Sequence, residues 1–121
     1  NARFKYRKTA LILLTQENYP IEVMDPEKIE LLLDAGAHVN AESDDGRTAL
    51  MEAAANRRHE NNPRVIRALL DAGADVDEQS HKGRTALMEA AVNNNLEVIE
   101  ILLDAGAKID EQSYKGRTAL M

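Results

Sequence analysis

The sequence predicts an all-α fold: a solenoid of stacked helix-turn-helix units joined by β-turn fingers. Two recurrences and one spacing carry that prediction. The hexapeptide Gly-Arg-Thr-Ala-Leu-Met returns at Gly46, Gly83 and Gly116, and Leu-Leu-Asp-Ala-Gly-Ala returns at Leu32, Leu69 and Leu102. Gly73 and Gly106 stand 33 residues apart, a period that marks a repeat architecture. The stretch from Gly83 to Ala107 shows the unit: helix, short turn, second helix, glycine stop. Two helices this short cannot bury their apolar faces alone, so each unit needs neighbours to stack against.

Composition narrows the function classes. The 121 residues suffice for one domain with a modest core. A formal net charge of −6 does not favour nucleic acid or a membrane surface. The absence of Cys excludes disulfides and thiolate metal sites. Aromatics make up only 3%, so the core has to be built from Leu, Ile, Val and Ala. The apolar run Ala10 to Leu14 is too short to span a membrane and is not followed by a leader pattern. The expectation is a soluble chain, intracellular, with no membrane partner; the sequence does not specify its compartment.

The chain is expected to be one domain over residues 1–121, cut from a longer array. Residues 1–8 read as the finger of an incomplete repeat, 9–42 as repeat 1, 43–79 as repeat 2, 80–112 as repeat 3 and 113–121 as a partial repeat. Helices are predicted over Thr9–Glu17, Pro26–Ala35, Thr48–Asn56, Pro63–Ala72, Thr85–Asn93 and Leu96–Ala105, with a further one beginning at Thr118. Asp25-Pro26 is a cap followed by a residue suited to the first helical position, and Asn62-Pro63 repeats it in phase. Ile29, Leu32 and Leu33 form an i, i+3, i+4 stripe that Ile66, Leu69 and Leu70 repeat. Leu70 and Leu103 are expected to be fully buried between layers. Gly36, Gly73 and Gly106 end the second helices, Gly73 and Gly106 at positive φ. In the third repeat Asn94-Asn95-Leu96 makes the turn between helices without proline, and Asn tolerates positive φ better than any other non-glycine residue.

Spacing locates the irregularities. From each helix-ending glycine to the next threonine there are always 12 residues, whereas threonine to glycine runs 27, 25 and 21 residues through the three repeats. The extra residues therefore fall between the two helices of a repeat. That is the place where a loop can bulge into solvent without altering how neighbours stack.

These residues resemble the ankyrin repeat family over essentially the whole chain. The match includes Gly83, Thr85, Leu87, Ala90, Ala91, Leu96, Leu102, Leu103, Gly106 and Ala107. The departures are consistent: the family's Pro is replaced by Ala49, Ala86 and Ala119, and its His by Met51, Met88 and Met121. A thioether there implies adaptable packing in place of loop-tying hydrogen bonds. Ser43, Ser80 and Ser113 stand where the family has a fingertip Asp and can make a weaker form of the same local bond. The resemblance implies a non-catalytic, monomeric scaffold that binds another protein, with no cofactor. Two alternatives stand beside it: a sensor for a small anionic ligand, and a regulatory domain of a larger enzyme whose catalytic part lies elsewhere.

Searching the sequence for chemistry gives no catalytic or metal-ligating set. His38, His59 and His81 have no second ligand at helical spacing, and Asp44-Asp45-Gly46 lacks the ligand pattern of a calcium loop. Arg47, Arg84 and Arg117 fall in equivalent positions with Lys8 ahead of them, and Glu52 and Glu89 follow five residues on. They read as a solvated, mutually paired face at the exposed edge of the first helices, each pair contributing roughly 0–1 kcal/mol. Arg3 to Lys8 is basic with interleaved aromatics, but in phase it is one finger. Leu13 replaces the outward Glu52 and Glu89 and is expected to be covered, by default from the apolar insert Tyr19 to Met24.

The partner-binding residues implied by the resemblance are the fingertip pairs Lys5 and Tyr6, Asp44 and Asp45, His81 and Lys82, and Tyr114 and Lys115. Ala55, Asn56, Val92 and Asn93, which end the first helices, complete the surface. These positions vary from repeat to repeat while the frame around them hardly changes. Tyr114 is the expected anchor, because it joins a large ring to a polar tip.

Overall fold

A computed structural model describes residues 25–56 and 62–109. Within them lie five helices and no strand: α1 (Pro26–Asp34), α2 (Ala49–Ala55), α3 (Asn62–Asp71), α4 (Ala86–Val92) and α5 (Leu96–Asp104). The helices expected at Thr9–Glu17 and from Thr118, together with Leu13 and its proposed cover, lie outside the described residues.

The helix starts follow from side-chain oxygens that take up orphan backbone donors, each such cap being worth about 1 kcal/mol. The Asp25 carboxylate accepts from the Glu27 N–H at 2.9 Å, with Pro26 at the first helical position. The Thr48 and Thr85 hydroxyls accept from the N–H groups of Met51 and Met88, so α2 and α4 begin one residue after the threonines. Asn95 does the same for α5 through the Val98 N–H. Asn62 departs from the Asp25 pattern. Its side-chain amide turns back and donates to the Ala53 and Asn56 carbonyls at the end of α2, and its Oδ1 has no hydrogen-bond partner among the described residues.

The ends of α1, α3, α4 and α5 share one geometry. After α1, Ala37 N–H bonds the Leu32 carbonyl and Gly36 N–H bonds the Leu33 carbonyl, both at 3.0 Å. Ala74 and Gly73 repeat the pair after α3, and Ala107 and Gly106 after α5. This closure needs a left-handed residue, and Gly73 and Gly106 supply it at φ 98° and 93°. Asn94 supplies it after α4 at φ 56°, with Asn95 N–H reaching the Ala90 carbonyl at 3.1 Å.

The helices form two layers. α2 and α4 pack side by side, α1, α3 and α5 pack in a row, and α2 lies on α3 as α4 lies on α5. Between the layers sit Ile29, Leu50, Val65, Ile66, Leu69, Leu87, Val98 and Leu102, with the small alanines of α2 and α4 allowing close approach. The expected burial of Leu70 and Leu103 is corrected: Leu70 is only partly buried and Leu103 is 43% exposed, whereas Leu69 and Leu102 are at 0%. The stripe Ile66–Leu69 points at the inner layer, and a rotation of about 100° per residue carries the next leucine to its edge.

Leu69→Ala and Leu102→Ala are expected to cost about 2–5 kcal/mol each, and Leu103→Ala less than about half as much, measured by urea unfolding. Nothing lies within 4 Å of a Cβ built on Gly73 or Gly106. Gly73→Ala should therefore cost only the backbone term, about 1–2 kcal/mol, and Gly106→Val should cost more than Gly106→Ala.

Candidate functional site

The fingers ahead of α2 and α4 are tight turns built alike. Ser43 N–H donates to the Arg47 carbonyl and Gly46 N–H to the Ser43 carbonyl, each at 2.9 Å. Ser80, Gly83 and Arg84 repeat the pattern. The serine hydroxyls supply the expected local bonds, Ser43 accepting from Arg47 N–H and Ser80 from Lys82 and Arg84 N–H. Ser113 lies outside the described residues.

One finger sits on the next. His81 N–H donates to the Asp45 carbonyl at 2.9 Å. A Cβ at Gly46, whose φ is +74°, would fall 2.9 Å from the His81 backbone nitrogen and closer still to its ring. A glycine is required there for close approach as well as for conformation. Deeper in the connector, the Asn40 side chain donates to the Gly73 carbonyl at 3.1 Å and accepts from Asp75 N–H at 2.7 Å. One repeat on, the Asp77 carboxylate accepts from Lys108 N–H at 2.8 Å. Sequence reasoning missed this tie, although both residues stand four places after a helix-ending glycine.

Asp44, Asp45, His81 and Lys82 are exposed at the tips, and the tip charge changes from acidic to basic between one finger and the next. At the helix ends the expected residues divide. Val92 is 70% exposed. Ala55 is half-buried, and its carbonyl accepts from the Asn93 side chain at 2.7 Å. Asn93 also reaches the Ala54 carbonyl at 3.2 Å, so its amide is spent on the last turn of α2. Asn56 is only 4% exposed and offers no contact surface. The physical cause is that the last carbonyls of α2 lack intrahelical donors, and Asn62 and Asn93 supply them. Lys5, Tyr6, Tyr114 and Lys115 lie outside the described residues.

The charged ladder is paired as expected, but its carboxylates are largely shielded and its arginines only partly exposed, which corrects the expected solvation. Arg47 Nε bonds Glu52, Arg47 Nη1 lies 3.5 Å from Glu89 Oε1, and Arg84 Nε lies 2.5 Å from the same oxygen. The Glu52 and Glu89 side chains are only 13% and 12% exposed. Burial opposes the charge on Arg47, but Glu52 and then Glu89 outweigh it and hold the guanidinium above its ordinary pKa. Met51 and Met88 pack in the interior beneath this row. Arg117, Lys8 and His59 lie outside the described residues, and His38 and His81 are exposed. No group of three His, Cys, Asp or Glu among the described residues is placed to hold a metal ion. No described helix is long and apolar enough to cross a membrane.

Glu78 is the one carboxylate held above its ordinary pKa among the described residues: burial raises it first, and Glu42 and Asp75 add like-charge repulsion. A family model described as "Ankyrin repeats (3 copies)" matches residues 1–80 and residues 58–121. No curated protein matches the chain.

Two expected outcomes follow from these charges. A raised carboxylate pKa means that the folded state binds the proton more tightly, so Glu78 favours folding below the unfolded pKa and loses that contribution as pH rises through the folded value. Glu78→Gln should therefore raise the thermal midpoint at pH 7 (about neutral) and leave it nearly unchanged near pH 3, where both states carry the proton. Arg47→Ala leaves the half-buried Glu52 without its cation and Glu89 with Arg84 alone, and should cost about 1.5–3 kcal/mol, more than an exposed pair would, by urea unfolding at neutral pH.

Proposed function

The chain belongs to the ankyrin repeat family, and from that premise we propose that it is a non-catalytic module that binds another protein through its fingertips and the exposed end of α4. Proteins of this family generally serve as protein-binding modules. One observation carries the reading for this chain: the two described fingers share one backbone hydrogen-bond pattern, while the side chains they hold out differ completely. Asp44 and Asp45 become His81 and Lys82, and Ala55 becomes Val92. A surface freed from packing can vary in this way; the frame beneath it cannot. The proposed face is therefore Asp44, Asp45, His81, Lys82 and Val92, continued on the sequence pattern alone by Lys5, Tyr6, Tyr114 and Lys115. The partner that fits it meets the first described finger with basic groups and the second with acidic ones, and seats an apolar side chain on Val92.

The anionic-ligand alternative draws no support from the ladder, because Arg47 and Arg84 already face Glu52 and Glu89. Affinity capture with the chain, identification of what co-purifies, and binding kinetics of variants with that protein test the reading. Val92→Asp should weaken binding by about 1 kcal/mol or more, and Lys82→Glu should mainly slow association. Glu97→Ala with Glu100→Ala, on the opposite layer, should bind normally. If that control weakens binding while the finger and Val92 variants bind as before, the proposed face is wrong.

A further inference from the structure

The opposite layer carries a groove of its own. It runs between the C-terminal halves of α1 and α3, encloses about 400 Å³, and is lined by Glu30, Leu33, Asp34, Ala68, Asp71 and Ala72. Leu33, Ala68 and Ala72 make an apolar floor, and three carboxylates stand around it. Glu30 is already taken by Arg64, whose Nη2 lies 2.7 Å from its Oε1. Asp34 and Asp71 are exposed and make no ion pair among the described residues.

Their placement opposes helix electrostatics. The C-terminal end of a helix carries the negative pole of its dipole and favours basic residues, yet none of α1, α3 and α5 has a basic residue in its last turn. Each ends instead in an aspartate: Asp34, Asp71 and Asp104. Since the three helices pack in a row, unneutralised carboxylates and dipole ends fall on one edge of the layer, beside an apolar floor.

We propose that this groove is a second docking surface, and that its occupant is a polyproline-type segment of a protein partner with a lysine or arginine at every third position. The charge follows from Asp34 and Asp71, and the apolar floor suits the methylene stem that a long basic side chain lays down behind its charged head. The spacing follows from the packing of the helices. Neighbouring packed helices lie about 8–10 Å apart, and a polyproline segment, with three residues per turn, advances about 9 Å in three residues and brings every third side chain to one face. Successive basic side chains on one face of such a segment therefore meet successive aspartates, Asp104 offering the next site along the row.

The test uses the full chain at low ionic strength with two synthetic peptides of about twelve residues. One is a run of Lys-Ser-Pro repeats, and the other has the same composition with its lysines adjacent. The spaced peptide should bind at least about tenfold more tightly than the clustered one, and Asp34→Asn with Asp71→Asn should reduce its affinity about tenfold, the scale of losing close charge pairs. Glu27→Gln with Glu97→Gln removes the same formal charge from the opposite ends of α1 and α5 and should leave binding unchanged. The Asp34/Asp71 variant should keep or raise its thermal midpoint, since it removes charges of the wrong sign from helix ends, so the loss is not one of folding. If the peptides bind alike, if both variant pairs lose affinity equally, or if neither peptide binds, the proposal is overturned. None of those results touches the finger surface, whose variants are tested with a different partner.

Discussion

The left-handed residue that follows α1, α3 and α5 governs everything downstream of it. At Gly36, Gly73 and Gly106 the chain leaves the helix through the same pair of backbone bonds, so it departs in the same direction each time. From there a connector of constant length leads to the next capping threonine. A fixed exit and a fixed length place each finger over its neighbour, which is why His81 N–H finds the Asp45 carbonyl and why the chain at Gly46 has no room for a side chain. The stacking of helices follows from the same registration. Leu69 and Leu102 can both be fully buried only if successive outer helices enter at the same height.

Stacking is held by two kinds of contact. Between the layers it is aliphatic and non-directional, with alanines letting the inner helices approach. Along the connectors and helix ends it is polar and directional: Asn40 to Gly73 and Asp75, Asp77 to Lys108, Asn93 to the end of α2. The directional bonds use backbone groups that helix ends and turns would otherwise leave unpaired, and an unpaired buried group costs more than a formed bond contributes. The replacement of the family's histidine by Met51 and Met88 moves weight from the second kind of contact to the first at that position.

Much of this was legible in the sequence because the repeats index one another. Thr48 and Thr85 as starts, Gly73 and Gly106 as stops and Asn94 as a left-handed turn each follow from residue chemistry at a recurring place. What was not legible depended on depth. Arg47, Glu52 and Glu89 look like a solvated row, since charged residues at helical spacing normally are; only the neighbouring repeat shows how far Glu52 and Glu89 are shielded. Leu70 and Leu103 are identical in type to Leu69 and Leu102, and which of each adjacent pair is buried is set by where the inner layer lies. Asn56 and Asn93 read as free polar ends because a single repeat does not reveal that Asn56 is buried, or that the carbonyls at the end of α2 take the side-chain amides of Asn62 and Asn93.

The two layers distribute charge in opposite ways, and that difference bears on recognition. In the inner row, cations and carboxylates are matched across repeats before any partner arrives, so the row stiffens the surface and adds little net field. The side chains left exposed on that side stand at the tips, where successive fingers differ in sign. In the outer row, Arg64 and Arg67 pair with Glu30 and Glu97, while the aspartates at the helix ends have no such neighbour among the described residues. Charge satisfied within the fold serves stability, and charge left over, set at a helix pole of the same sign, serves encounter. A chain with net charge −6 has to hold its excess somewhere, and here part of that excess is concentrated along the C-terminal edge of the outer helices.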